Sequence, residues 1–188
     1  MPGDQHDYIA GYTAADDPYC QPNGVLVNLL GLTNTADLAD IEAELSALEI
    51  VKLLRHPVPG QFSAAHLRHL HHQIFRHVYP WAGQFRQVDI AKGETHFVAH
   101  QDIDARLEGL FHSAAADHFY QHRDLPAFAR AAAAFLIELN LIHPFREGNG
   151  RAQREFIRQM AEAAGYEISW HGISQEAMTQ ASIEACRW

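Results

Sequence analysis

The run His143-Pro144-Phe145-Arg146-Glu147-Gly148-Asn149-Gly150-Arg151, with Arg154 just beyond it, constrains this chain more than any other stretch. It reads as the end of one helix, a tight loop and the start of another. Residues 124–142 are rich in Ala and Leu, and Phe128, Phe135, Leu136 and Leu139 recur at helical spacing. Pro144 disfavours helical dihedrals at the residue before it, so this helix stops at His143 and presents the imidazole at the mouth of the loop. Gly148 and Gly150 flank Asn149 and let the backbone turn tightly and approach a ligand closely. A second helix is expected from Gly150 or Arg151, with Phe156, Ile157, Met160 and Ala164 on one stripe and Gly165 as its stop.

The start of that second helix suits an anion. Its first N–H groups lack partners inside the helix, and the dipole favours negative charge there. Arg151 and Arg154 lie on one side of the first turns and can lean over the same ion. Two cations at a helix N-terminus are unfavourable unless an anion sits between them. Glu147 would repel bare phosphate but suits a Mg²⁺ that bridges phosphates. An imidazole titrates near neutrality, so His143 is placed to take a proton from a hydroxyl. Each feature also has a plainer reading: a turn, a helix stop, or arginines paired with Glu147 and Glu155 at a solvated helix start. A turn needs neither the histidine nor both arginines, and that favours a nucleotide site.

The whole string resembles the signature of the Fic family, whose members transfer AMP from ATP to protein hydroxyls. The resemblance implies ATP as substrate and Mg²⁺ as cofactor. It makes His143 the catalytic base, Glu147 the metal ligand, and Gly148, Asn149 and Gly150 the anion hole. Arg151 would hold phosphate, Arg154 would grip the γ-phosphate, and Phe145 would be an inward packing anchor. The related Doc-type kinases carry a lysine in this loop, so Gly150-Arg151 favours nucleotidyl transfer over phosphorylation. Asp17-Pro18-Tyr19 resembles a lead-in segment of small bacterial members.

Residues 81–90 followed by 92–97 resemble the family's flap, expected over 84–99. Arg86, Val88 and Ile90 alternate with polar residues, Lys92-Gly93-Glu94 makes a turn, and Thr95 to Val98 can return as a second strand. A lone hairpin leaves an open edge that can pair with an extended peptide. Ile90, Ala91, Lys92, Gly93, Thr95, His96 and Phe97 are therefore the expected target-docking residues, with Lys92 also a candidate nucleotide contact. A hairpin that only caps the core, with a solvated turn lysine, is the plainer alternative. His96 and His100 stand either near substrate or in local turn packing.

A chain of 188 residues supports one domain with a sizeable core. Helical patterns dominate. One covers 36–54, with Thr35 as N-cap and Leu38, Ile41, Leu45 and Leu48 on one face. A second follows Ser63 and carries Leu67, Leu70 and Ile74. A third covers 102–118 with Ile103, Leu107, Leu110 and Phe111, and the last starts near Ser174. The expectation is an all-α, mainly helical Fic fold with a small β-hairpin flap. An irregular segment, 1–35, would pack on a Fic domain, 36–188, whose active-site loop is 143–151.

The net charge of −9 opposes direct nucleic-acid binding, which needs a basic surface. No signal peptide and no apolar run long enough to span a bilayer is expected, hence no membrane partner. Two cysteines, Cys20 and Cys186, give no disulfide framework, and a bacterial cytoplasm is the natural setting. His66, His69, His71, His72 and His77 cluster without a Cys or acid to complete a zinc site, so they are expected to face solvent. Many Fic proteins carry an inhibitory Ser/Thr-x-x-x-Glu-Gly/Asn helix. Here Glu108-Gly109 is preceded by Asp104 and Glu147-Gly148 by His143 at the Ser/Thr position. The resemblance then implies a toxin inhibited in trans by a small helical antitoxin bearing that motif. The protein substrate would be modified on Tyr, Thr or Ser, with type II topoisomerase subunits as family targets. Alternatives are the Fic domain of a secreted effector whose secretion module would follow Arg187-Trp188, a transferase using another nucleotide donor, or a non-catalytic binding module. The intact motif weighs against the last.

Overall fold

The computed structural model describes residues 17–92 and 95–185. Within them run α1 (Thr35–Arg55), α2 (Ala64–Phe75), α3 (Ile103–Ala116), α4 (Leu125–Ile142), α5 (Asn149–Ala163) and α6 (Gln175–Ala185). Strands β1 (Ala91–Lys92) and β2 (Thr95–His96) form an antiparallel hairpin between α2 and α3. The fold is helical with one small hairpin, as the sequence patterns imply. Gly93, residues 1–16 and Cys186, all part of the expectations above, lie outside the described residues.

Helix starts follow side-chain chemistry. Ser63 Oγ accepts from the amide of His66 at 3.2 Å, and Asp124 Oδ1 from that of Ala127 at 2.9 Å. Ser174 Oγ accepts from Ala177 at 3.1 Å. At α1 the cap is Asn34, not Thr35: its Oδ1 accepts from Ala36 and Asp37 at 2.8 and 3.2 Å. The expected apolar face of α1 is also corrected. Leu38 is buried, but Ile41 and Leu48 are 37 % and 59 % exposed, while Glu42, Ser46, Glu49 and Leu53 fill the inner face. Polar groups wait for that face, namely Arg151 and Tyr79 at Glu42 and Arg76 at Glu49, so hydrophobic periodicity finds Leu38 and the half-buried, core-packed Leu45 but misplaces Ile41 and Leu48.

Helix α5 is the centre of the body, packed between α2 and α4. Ala152, Phe156, Ile157, Met160 and Ala161 are buried along it, and Phe156 meets the rings of Phe62, Phe111 and Phe135 at 5.4 to 5.7 Å. Truncating such an aromatic costs about 3–5 kcal/mol. Its buried Glu155 is matched by Arg158 at 2.8 Å and by Gln159 at 2.8 Å. A helix held this firmly fixes where its first turn points, and that turn carries the loop motif.

Helix α4 has 18 residues and mean hydropathy 1.5, long and apolar enough by composition to cross a membrane; this corrects the expectation that no such run exists. Phe128, Ala132, Phe135, Leu139 and Ile142 are its buried residues, and it packs against α3 and α5, the pattern of a core helix. Residues 17–34 are irregular and lie on the body, with Leu29 N–H donating to the Val78 carbonyl at 2.8 Å and Gln87 N–H to Tyr19 Oη at 3.0 Å.

Candidate active site

Helix α4 ends where Pro144 requires it to. His143 takes a left-handed conformation, φ 48° and ψ 61°, while its N–H still bonds to the Leu139 carbonyl at 3.0 Å. Its Nδ1 lies 3.1 Å from the carbonyl of Asn140, which can only accept, so Nδ1 carries the proton and the neutral ring keeps its lone pair on Nε2. Phe97 stacks on the imidazole at 3.9 Å and 18°. The flap thus touches the base directly.

Arg86 holds this corner together. Its side chain is fully buried and donates to the carbonyls of His143 at 2.9 Å, Ile142 at 3.2 Å, Val88 at 2.7 Å and Val98, while its own N–H donates to Pro144 at 2.9 Å. A guanidinium at the C-terminus of α4 neutralises the orphan carbonyls and the negative end of the dipole. The alternation over 86–90 therefore marks no strand: the backbone curls around Arg86, and only two residues pair on each side of the hairpin. Ala91 pairs with His96 and Lys92 with Thr95. The side chains of Ile90 and Ala91 are buried, at 1 % and 6 % exposure, and anchor the flap, so any docking at these two residues would use their backbone edge. Lys92 and His96 are exposed and Thr95 and Phe97 half-buried. His100 caps the flap's base, donating its N–H to Asp89 Oδ1 at 2.6 Å with its Nδ1 2.9 Å away, and these contacts draw the Asp89 carboxyl below its usual range.

The loop closes on itself through Asn149, whose Oδ1 accepts from Phe145 N–H at 2.8 Å and whose Nδ2 donates to the Phe145 carbonyl at 2.7 Å. With its side chain committed and buried, Asn149 has only its backbone N–H to offer an anion. Gly148 has φ 79°, and a Cβ there would stand 2.3 Å from the Phe75 ring, so no other residue fits. Its N–H donates to Glu147 Oε1 at 2.7 Å, a carboxylate oxygen lying where a phosphate oxygen could be received. Helix α5 begins at Asn149, slightly before the expected start.

Arg151 and Arg154 differ sharply. Arg151 donates to Glu42 and to Ser46 Oγ at 3.0 Å, lies 3.6 Å from Glu147, and covers the Phe75 ring at 4.6 Å. Tyr79 donates to the other Glu42 oxygen, and burial with that carboxylate beside it pushes the phenol's pKa up. Arg154 is half-buried over Gly150 and has no hydrogen-bonded or ion-paired partner among the described residues. Burial and the neighbouring Arg151 charge lower its pKa. A desolvated guanidinium beside another one is a receptor for an anion.

Sequence reasoning missed Arg86, Glu42, Arg146 and His71. Arg146 pairs with Asp17 Oδ2 at 2.9 and 3.1 Å, both buried, which ties the N-terminal segment to the loop. Burial, with the Asp17 carboxylate beside it, raises the Cys20 thiol to about 11. His66 and His71, expected to face solvent, are buried. His66 Nε2 lies 3.0 Å from Gln159, and burial lowers its pKa. His71 has both ring nitrogens bonded to backbone, and full burial drives its pKa down to about 3. Among the described residues no three His, Cys, Asp or Glu side chains gather into a metal cage.

A base, two guanidiniums, a carboxylate and the first amides of α5 thus meet at one loop. A family model, the Fic/DOC family, matches residues 61–161. The chain is 38 % identical over 175 residues to the protein adenylyltransferase VbhT of Bartonella schoenbuchensis, covering 93 % of this chain and 37 % of that one. It is 37 % identical to the probable protein adenylyltransferase y4lH of Sinorhizobium fredii, over 93 % of this chain and 90 % of that one. Escherichia coli Fic, also named a probable protein adenylyltransferase, is 34 % identical over 88 % and 82 % of the two chains. Among solved structures, the N-terminal Fic domain of a VirB-translocated Bep effector of Bartonella quintana, with bound ADP, superposes with TM-score 0.83 at 34 % identity, covering 89 % and 86 % of the two chains. BepC of Bartonella tribocorum, with bound AMPPNP, gives 0.84 at 27 % identity over 90 % and 89 %.

Proposed function

We propose that this chain, which belongs to the Fic/DOC family, is a protein adenylyltransferase that moves AMP from ATP onto a Tyr, Thr or Ser hydroxyl of a target protein, as the toxin of a cytoplasmic toxin–antitoxin pair. The observation that carries the nucleotide reading is Arg154, a half-buried guanidinium without a partner among the described residues, beside Arg151 and the first amides of α5. The bound ADP and AMPPNP of the two effector structures support the same reading.

The chemistry follows from the residues. His143 Nε2, held by the Asn140 carbonyl on the other side of the ring, takes the hydroxyl proton as the oxygen attacks the α-phosphorus. The bond to the β-phosphate oxygen breaks, and pyrophosphate leaves toward Arg154. The amides of Gly148, Asn149 and Gly150 meet the charge that develops on the phosphate oxygens. Glu147, half-buried in the loop beside Arg151, would hold a Mg²⁺, which would neutralise phosphate charge there. The absence of a Ser/Thr-x-x-x-Glu-Gly/Asn pattern supports inhibition in trans, by a small helical protein that supplies the glutamate to Arg154. Type II topoisomerase subunits are the first targets to try. A second reading, the Fic domain of a translocated effector, is favoured by the Bartonella effector structures and by VbhT, of which this chain spans 37 %.

The test is label transfer in a bacterial lysate. Label retained from α-labelled but not γ-labelled ATP, and absent with His143→Ala, is expected. Label from the γ position alone would mean phosphorylation. Co-expression with a small helical protein bearing the Ser/Thr-x-x-x-Glu-Gly/Asn motif should suppress both toxicity and transfer; equal activity with and without it would remove the antitoxin, and labelling confined to host-cell lysate would favour the effector.

A further inference from the structure

We propose that His71 is a positioning residue for the transfer reaction, one that aims the Gly148 amide at the phosphate from behind. The inference rests on the reading of the loop as the nucleotide site and adds a residue outside the motif.

The argument starts from two backbone groups. Gly83 N–H can only donate, and it points at His71 Nδ1 from 2.8 Å; that nitrogen therefore carries the lone pair. The ring proton sits on Nε2 and is donated to the Glu147 carbonyl, 2.9 Å away, which can only accept. The tautomer is thus dictated by geometry and is the opposite of the one at His143. Full burial and stacking on Phe145, at 3.8 Å and 15°, leave the ring no alternative orientation.

The Glu147 carbonyl and the Gly148 N–H belong to the same peptide unit. A trans peptide is planar, with C=O and N–H pointing to opposite sides. Fixing the carbonyl from the α2 side therefore fixes the direction of the amide on the other side. That amide already holds an anionic oxygen, Glu147 Oε1 at 2.7 Å, so the direction His71 enforces is one in which negative charge is received. One turn along α2 from His71, Phe75 blocks any shift of Gly148 toward the helix and supports Arg151. Helix α2 is thus the rear wall of the anion site, and the Gly83 bond couples that wall to the turn leading into the flap.

Two amide variants separate the two bonds. In His71→Gln the terminal amide reaches the position of Nε2 and can still donate to Glu147. In His71→Asn the shorter amide reaches only the position of Nδ1 and can accept from Gly83 alone. Rates of label transfer from α-labelled ATP in dialysed lysate are measured against ATP concentration, beside melting temperatures. His71→Asn is expected to lose about 10- to 100-fold in kcat, a misaimed oxyanion donor, with KM for ATP changed less than about threefold. His71→Gln should keep kcat within about fivefold at a similarly lowered melting temperature. Equal kcat losses in the two variants, or losses that follow melting temperature, would overturn the proposal. A wild-type protein that transfers no label would overturn the reaction itself, a separate result. Should both variants unfold, nitrogen-15 spectra of the wild-type imidazoles decide: Nε2–H at His71, shifting on addition of AMPPNP, is expected, and an Nδ1–H ring or an unmoved signal refutes it.

Discussion

The loop at 143–149 and the flap meet at the Phe97–His143 stack, yet the loop and the paired end of the hairpin are secured very differently. In the loop, Arg86 binds the carbonyls of Ile142 and His143, Asn149 spans Phe145, His71 holds Glu147, and Asp17 anchors Arg146. At the tip, two residue pairs hold the strands, and Lys92 and His96 are exposed. The contrast follows the division of labour. A base and a set of donors lower a barrier only if they need not reorganise. An edge that pairs with another chain's backbone must remain accessible, and a locally weak element serves that.

Breaking the chemistry without the scaffold should give the largest effect. His143→Ala is expected to reduce transfer by about 10²- to 10⁴-fold, the usual worth of a general base, with an unchanged melting temperature. A fall in melting temperature that accounts for the lost rate would mean His143 is structural. Breaking the scaffold is next. Arg86→Met leaves the carbonyls of Ile142, His143, Val88 and Val98 without their charged donor and should cost about 3–5 kcal/mol in urea unfolding. A loss below about 1 kcal/mol would show that the loop holds itself.

Gly148→Ala tests the loop from its other side. Its left-handed φ and the Phe75 ring 2.3 Å from the new methyl predict a loss of about 2–4 kcal/mol, strain plus overlap, and loss of transfer. Full activity would mean that the loop and Phe75 can separate and that the loop is not rigid.

The same contrast explains what could be read from the sequence. The loop was legible because its constraints are local: Pro144 stops α4, a glycine is needed where φ is positive, and α5 starts at once. The helical pattern over 64–75 and 125–142 was legible because Leu67, Leu70 and Ile74, or Phe128, Phe135 and Leu139, face one core. Arg86, Glu42 and His71 were not legible. Each is a polar residue buried by partners distant in sequence, Ile142 for Arg86, Arg151 for Glu42 and Glu147 for His71, and no periodicity records such pairings. The one available signal was indirect: a glutamate in α1 on the same face as Leu38 is out of place unless a cation waits for it. The flap's expected first strand is shorter for a related reason: Arg86, Val88 and Ile90 turn inward onto the body while the backbone over 86–90 pairs with no strand.

Acid should weaken the scaffold through His71. Its folded pKa lies near 3, below the ordinary imidazole value of about 6.5 in an unfolded chain. Between those values the unfolded chain binds a proton that the folded one refuses. Stability is therefore complete above about pH 6.5 and declines as pH falls toward 3, by up to about 1.4 kcal/mol per pH unit. His66 is shifted in the same direction and adds to the slope. Urea midpoints between pH 7 and 5 should fall less steeply in His71→Gln than in the wild type; parallel slopes would assign the acid sensitivity elsewhere.

The smallest expected effect lies at the flap. Ile90, with 1 % exposure, belongs to the scaffold, whereas Lys92, two residues further along, is exposed. Lys92→Ala should leave unfolding free energy within about 0.5 kcal/mol of wild type, as a surface change does, while Ile90→Ala should cost about 2–4 kcal/mol. On the proposed target-aligning role, Lys92→Ala should slow label transfer severalfold with KM for ATP unchanged. A rise in KM for ATP would reassign Lys92 to the nucleotide. Destabilisation beyond about 1 kcal/mol would do more damage. The tip would then be part of the over-determined scaffold, and one rigid body would hold both the base and the surface that selects its target.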